Sequence, residues 1–152
     1  MAYLVIRIKG TVNISHWANT TLNSLNLNKK FHATILPQNE ETLGMLRKVK
    51  DIVAWSVADA GIIKELLEKR GRKSGSRLFG SSDLPKEYKS MEELAGAIAN
   101  NIVRLSKIEN IKPWFALNPP RGGFKRKTKK QYSQNGILGE DKDLIDLARR
   151  ML

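Results

Sequence analysis

Cysteine is absent from the chain, which excludes disulfides and thiolate metal sites and fits a cytosolic setting. Histidine is almost as scarce, with only His16 and His32. One falls in a predicted first helical turn and the other in a predicted strand. Neither has a second histidine or a cysteine at ligand spacing, so a surface or edge role outweighs metal binding or catalysis. No apolar run approaches a membrane span. The amino terminus, MAYLVIRIKG, has a short apolar run and no cleavage site, unlike a signal peptide. The most telling absence is of acid. Between Glu109 and Glu140 thirty residues pass without an Asp or Glu.

Seven bases occupy that stretch: Lys112, Arg121, Lys125, Arg126, Lys127, Lys129 and Lys130. Six of them fall within Arg121–Lys130, which reads RGGFKRKTKK. Pro113, Pro119, Pro120, Gly122 and Gly123 break any helix there, and Trp114, Phe115, Phe124 and Tyr132 are interleaved. Such a segment does not fold alone, because its charges repel and it has little apolar surface to bury. It calls for a polyanion, whose phosphates neutralise the charge while released counterions drive association. The whole chain agrees. Lys and Arg outnumber acids 27 to 15 over 152 residues, giving a net charge of +12 and a pI near 10.1. Residues 1–70 carry ten bases and six acids, and residues 71–152 carry seventeen and nine, so the excess lies mainly in the second half. Nucleic acid is the first candidate partner. An anionic membrane surface ranks second, but no basic amphipathic helix with an aromatic face appears.

The 41% hydrophobic content supports a modest core. Tyr3–Ile8 is rich in branched residues and reads as a strand, with Leu4, Ile6 and Ile8 on one side and Arg7 and Lys9 leaning to the other. Ser15 is placed to cap a helix reaching about Leu27, with Ala18, Leu22 and Leu25 inside and Lys29 and Lys30 at the exit. Phe31–Leu36 reads as a second strand, stopped by Pro37. Glu40 and Glu41 open a second helix, whose inner stripe is Met45, Leu46, Val49 and Ile52. Val53–Val57 reads as a third strand. The order over residues 1–58 is β-α-β-α-β, and the connection lengths put both helices on one side of a three-stranded layer. Residues 59–152 read as a mainly helical extension with basic loops at 70–77 and 112–132. Asp59 is placed to cap a helix through Arg70, with Gly71 as its stop. Ser90 and Glu93 form a capping box for another. Ile111–Leu117 suggests a short extended piece. Asp141 or Asp143 opens a last helix, and capping explains that aspartate pair without a metal.

Little in the chain points to catalytic chemistry. Gly71-Arg72-Lys73-Ser74 carries a fragment of a phosphate loop, but a helix precedes it where a strand is required and Arg72 intrudes. Arg70, Arg72, Lys73 and Arg77 are read instead as a phosphate-contacting loop, against the plainer reading of a solvated linker. Arg47, Lys48 and Lys50 are either part of a nucleic-acid face or a solvated helix face. Arg121, Lys125, Arg126, Lys127, Lys129 and Lys130 are the main phosphate ligands. Phe124 and Tyr132, set among them, are the candidates for base stacking. Trp114 and Phe115 are expected to pack, and Trp17 and Trp55 to be core or half-buried. No acid–base pair or cofactor loop is visible, so no catalytic residue, cofactor, metal or small-molecule substrate is expected.

This layout resembles the large-subunit ribosomal protein family called L-thirty, whose eukaryotic counterpart is L-seven. The resemblance is carried by VIRIKGTVN (Val5–Asn13), TLNSLNLNKKFHAT (Thr21–Thr34) and GMLRKVKD (Gly44–Asp51). It fits at Thr21, Leu22, Leu25, Leu27, Lys29, His32, Thr34, Met45, Leu46, Val49 and Val53, and departs conservatively at Ile52. KPWFALNPPRGGFK (Lys112–Lys125) and GILGEDKDLIDLARRML (Gly136–Leu152) are similar to the extension of the long, archaeal type. The family implies an α+β, ferredoxin-like fold: a three-stranded antiparallel sheet with two helices on one face. It implies non-catalytic binding of large-subunit ribosomal RNA in the cytoplasm beside neighbouring ribosomal proteins. An RNA-modifying or RNA-processing enzyme, or a free nucleic-acid chaperone, is the alternative.

Overall fold

A computed structural model describes residues 1–152. The first half follows the predicted order: β1 (Ala2–Arg7), α1 (His16–Ser24), β2 (His32–Pro37), α2 (Glu40–Lys48) and β3 (Val53–Ala58). Strand β1 lies between β2 and β3 and is antiparallel to both. The Asn39 side chain caps α2 by accepting from the Thr42 N–H at 2.8 Å. Helix α1 stops at Ser24, earlier than expected, and Asn26 turns the chain with φ 60°. Ser15 stands at its cap position, but its hydroxyl makes no capping bond.

The sheet is larger than the three strands expected. The extension contributes α3 (Ala60–Arg70), α4 (Met91–Ala99), β4 (Phe115–Ala116), β5 (Lys127–Gln131), β6 (Gly136–Glu140) and α5 (Leu144–Met151). The result is a mixed six-stranded sheet in the order β4-β2-β1-β3-β6-β5. Strand β4 is antiparallel to β2, whereas β6 runs parallel to β3 and β5 parallel to β6. The basic loop at 112–132 is therefore part strand. Lys127–Gln131 reads KTKKQ and has no apolar alternation, so its strand character comes from backbone pairing alone. Gly136 makes that pairing possible, because a Cβ there would lie 1.9 Å from the Lys130 carbonyl oxygen.

Both sheet faces are covered. Tyr3, Val5, Val53 and Trp55 pack under Ala18, Leu22 and Leu25 of the α1 region and Leu46 and Val49 of the α2 region. These two helices share one side, as their connections require. Leu4, Ile6, Ala33, Ile35 and Ala54 face the other way and join Ile62, Leu66, Leu94, Phe115, Leu147 and Met151 in a cluster of 28 buried residues. A fully buried Leu or Ile stabilises by roughly 1.5–3 kcal/mol. Residues 59–152 thus cover a face that residues 1–58 would otherwise leave wet.

Four local expectations change. Trp17 is 59% exposed rather than core or half-buried. His32 is neither at the surface nor at an edge. It is buried, β4 pairs outside it, and its ring stacks on Trp114 at 4.4 Å. The Ser90 hydroxyl accepts from Glu93 N–H at 3.2 Å, but the Glu93 carboxylate takes the Lys89 N–H instead of completing the box on Ser90. Lys50 lies past the end of α2, in the turn to β3, and not on the helix face.

Candidate nucleic-acid interface

The basic segment is fastened at its root. The Asn118 N–H donates to the Met151 carbonyl and the Arg121 N–H to the Arg150 carbonyl, both at 3.0 Å. Gly122 and Gly123 take φ values of 77° and 73°, which suit glycine at a tight turn. Phe124 is half-buried, with its ring centroid 6.1 Å from that of Phe31. Arg126 pairs with Asp143 at 2.5 Å, and its guanidinium lies 4.6 Å over the Tyr132 ring. Tyr132 first, and Asp143 among the charges, hold Arg126 more firmly protonated than a free arginine. Arg126 therefore braces the segment. Arg121, Lys125, Lys127, Lys129 and Lys130 remain exposed.

Folding adds two bases that charge density in the sequence did not single out. Lys9, just past β1, and Lys30, before β2, line an open groove of about 600 Å³ together with Val12, Phe124, Thr128 and Lys129. In the sequence these lysines read only as local punctuation, a strand flank and a helix exit. Their value lies in distance across the fold. At the end of β5, the Gln131 amide donates to the Lys50 carbonyl at 3.2 Å and to the Asp51 carboxylate at 2.7 Å. That contact ties the β5 edge to the turn carrying Lys50. Arg47 and Lys48 are exposed at the end of α2.

The 70–77 loop is more committed internally. Arg70 donates to the terminal Leu152 carbonyl at 3.0 Å, and Arg72 pairs by its backbone with Leu78. Lys73 bonds Asp83, and that bond, with the Gly80 N–H, holds the Asp83 carboxyl below the usual carboxylate range. The Lys112 ammonium reaches the Ser76 hydroxyl at 3.2 Å. Of the four bases read as phosphate ligands there, only Arg77 is exposed, and the other three are half-buried. None of the four lines the groove containing Lys9 and Lys129.

The fold and site define an α+β scaffold that sets a basic strand and an open groove lined by Lys9, Lys30 and Lys129 on its surface. Comparison with known proteins narrows the class. Residues 3–53 match the family described as Ribosomal protein L30p/L7e. The chain is 52% identical to the large ribosomal subunit protein uL30 of Cenarchaeum symbiosum, over 99% of this chain and 98% of that one. It is 47% identical to the uL30 of Nitrosopumilus maritimus over the same shares, and 40% identical to that of Staphylothermus marinus over 158 aligned positions. The chain belongs to the L30p/L7e family. The likeness runs through the extension as well as the core.

Proposed function

We propose that this chain is a non-catalytic structural constituent of the large ribosomal subunit, working in the cytoplasm, where it binds folded large-subunit ribosomal RNA beside neighbouring subunit proteins. Family membership over the full length supports the ribosomal assignment. The convergence of Lys9 and Lys30 with Lys129 along one groove supports the RNA face. In this reading residues 1–58 act as a rigid scaffold and residues 59–152 brace it and carry the basic segment. Arg121, Lys125, Lys127, Lys129 and Lys130 meet phosphate, with Lys48, Lys50 and Arg47 beside them and Arg77 on the second loop. Arg126 and Tyr132 hold the segment's shape, as Arg70, Arg72 and Lys73 hold theirs. Lys and Arg set among glycines favour phosphate and shape over base-edge readout.

The test is the salt dependence of binding to refolded large-subunit RNA. Replacing Lys125, Lys127, Lys129 and Lys130 by Ala should lower the slope of log affinity against log salt by about 0.7–0.9 for each phosphate no longer neutralised. An unchanged slope would remove these residues from the interface. Equal affinity for the unfolded strand would favour a chaperone instead.

A further inference from the structure

The loop from β1 to α1 and the first turn of α1 carry the most exposed large apolar side chains beside the basic groove. Val12 is 81% exposed and Trp17 59%. Single exposed apolar residues are ordinary, but these two line the same depression. It measures about 240 Å³ and is also lined by Ile14, Lys9 and Lys48. Lys9 and Val12 line the larger groove too, so the two hollows adjoin. One acid, Asp51, enters the smaller hollow, and its carboxylate already accepts the Gln131 amide at 2.7 Å. Asn13 holds the loop in the left-handed region, φ 58°, where asparagine is one of the few residues at ease.

We propose that Val12, Ile14 and Trp17 form a platform for one unpaired base of the bound RNA, with Lys9 and Lys48 taking the phosphates on either side of it. The proposal rests on the RNA-binding reading above and gives it a contact that the basic segment does not supply. The charge argues for RNA over a protein neighbour. An apolar patch rimmed by two lysines, and continuous with a groove holding Lys30 and Lys129, complements a base flanked by phosphates. Unstacked bases in RNA loops and bulges are commonly received on aromatic rings, and an indole face accepts any of them.

The experiment uses the full chain and refolded large-subunit RNA. Trp17→Ala should weaken binding roughly tenfold to a hundredfold, the loss of one stacked base, with the salt slope unchanged. Trp17→Phe should recover most of that loss. Lys9→Ala with Lys48→Ala should instead lower the slope. Because Trp17 is exposed, unfolding midpoints of both Trp17 variants should match the parent, and that control distinguishes a changed surface from a damaged fold. RNA should also change the fluorescence of the parent by an amount missing in Trp17→Phe. If the parent binds and Trp17→Ala binds equally well, without the fluorescence difference, the platform is wrong while the RNA-binding reading stands. If Trp17→Ala keeps its RNA affinity but fails to join reconstituted subunits, this surface meets a protein. If the parent itself does not bind, both readings fall.

Discussion

The Arg150 guanidinium donates to the Gly123 carbonyl at 2.8 Å and reaches that of Arg121 at 3.3 Å. The Arg121 N–H returns a bond to the Arg150 carbonyl. The last helix therefore grips the turn of the basic segment from side chain and backbone at once. Arg150 sits among bases but points its charge at the protein, so its effect on RNA runs through the order of the segment.

Arg150→Ala should leave the fold intact and speed amide exchange across residues 121–125. Losing a charged hydrogen bond costs about 1.5–3 kcal/mol locally, of which part reappears as weaker RNA binding. The salt slope should fall by less than one phosphate's worth. A fall of one whole phosphate with unchanged exchange would make Arg150 a phosphate ligand instead.

Arg7 fills the end of the face under α1. It is fully buried, and its three nitrogens donate to the Leu27, Lys9 and Gly10 carbonyls at 2.6, 3.0 and 3.0 Å. Burial lowers its pKa, yet an arginine stays charged at any ordinary pH. Arg7→Met should cost on the order of 2–5 kcal/mol in denaturant unfolding, because it strands acceptors in a dry site. Arg7→Lys should recover only part, since an ammonium lacks the planar fork. A loss below about 0.5 kcal/mol would mean that water replaces the guanidinium.

Arg7 also marks where the sequence stops being legible. Its alternation with Leu4, Ile6 and Ile8 placed it on the face of β1 opposite them, but nothing local announced three carbonyls converging on it. The core elements were readable because each carries its own period: Leu4 and Ile6 in β1, Leu46 and Val49 after Glu40, Leu66 and Leu67 before Gly71. Strand β5 was not, because KTKKQ holds its place by backbone bonds to β6 and buries no stripe. Lys9 and Lys30 lie far apart in sequence and meet only across the groove, so charge density along the chain pointed to Arg121–Lys130 and passed over them. Trp17 and His32 were misplaced for a related reason. Hydrophobicity and polarity set a prior for burial, and the neighbour that decides it, Trp114 for His32, comes from a distant segment.

His32 should make stability depend on pH. Burial first, then the charges of Lys29 and Arg7, lower its pKa below the usual 6.5. Its Nδ1 is buried without a hydrogen-bond partner. Below pH 6.5 the unfolded chain takes up a proton that the native ring refuses, so stability is full above that pH. It declines as pH falls toward the lowered native value, by at most about 1.36 kcal/mol per pH unit. His32→Phe keeps a ring against Trp114 and should flatten the urea midpoint between about pH 7.5 and 5.5 relative to the parent. An identical pH trend in both proteins would assign the effect to other groups.

Phe124 and Tyr132 were the aromatic candidates for base stacking, and both have partners inside the protein. Phe124 leans on Phe31, and Tyr132 lies under an Arg126 that Asp143 also holds. A ring engaged on one side can still offer the other, so the two roles need a substitution that separates them. Phe124→Ala removes both packing and any stack. Phe124→Leu keeps apolar bulk against Phe31 but removes the flat face. If Phe124 anchors the segment, Phe124→Leu should bind refolded RNA like the parent, while Phe124→Ala binds more weakly and shows faster exchange across residues 124–128. If it stacks, Phe124→Leu alone should lose about 1–3 kcal/mol of binding, with the segment as ordered as before. The half-buried contact with Phe31 favours the anchor. The same logic applies to Tyr132. Tyr132→Leu should release Arg126 to Asp143 alone, and its RNA affinity should change less than that of a variant that removes Arg126.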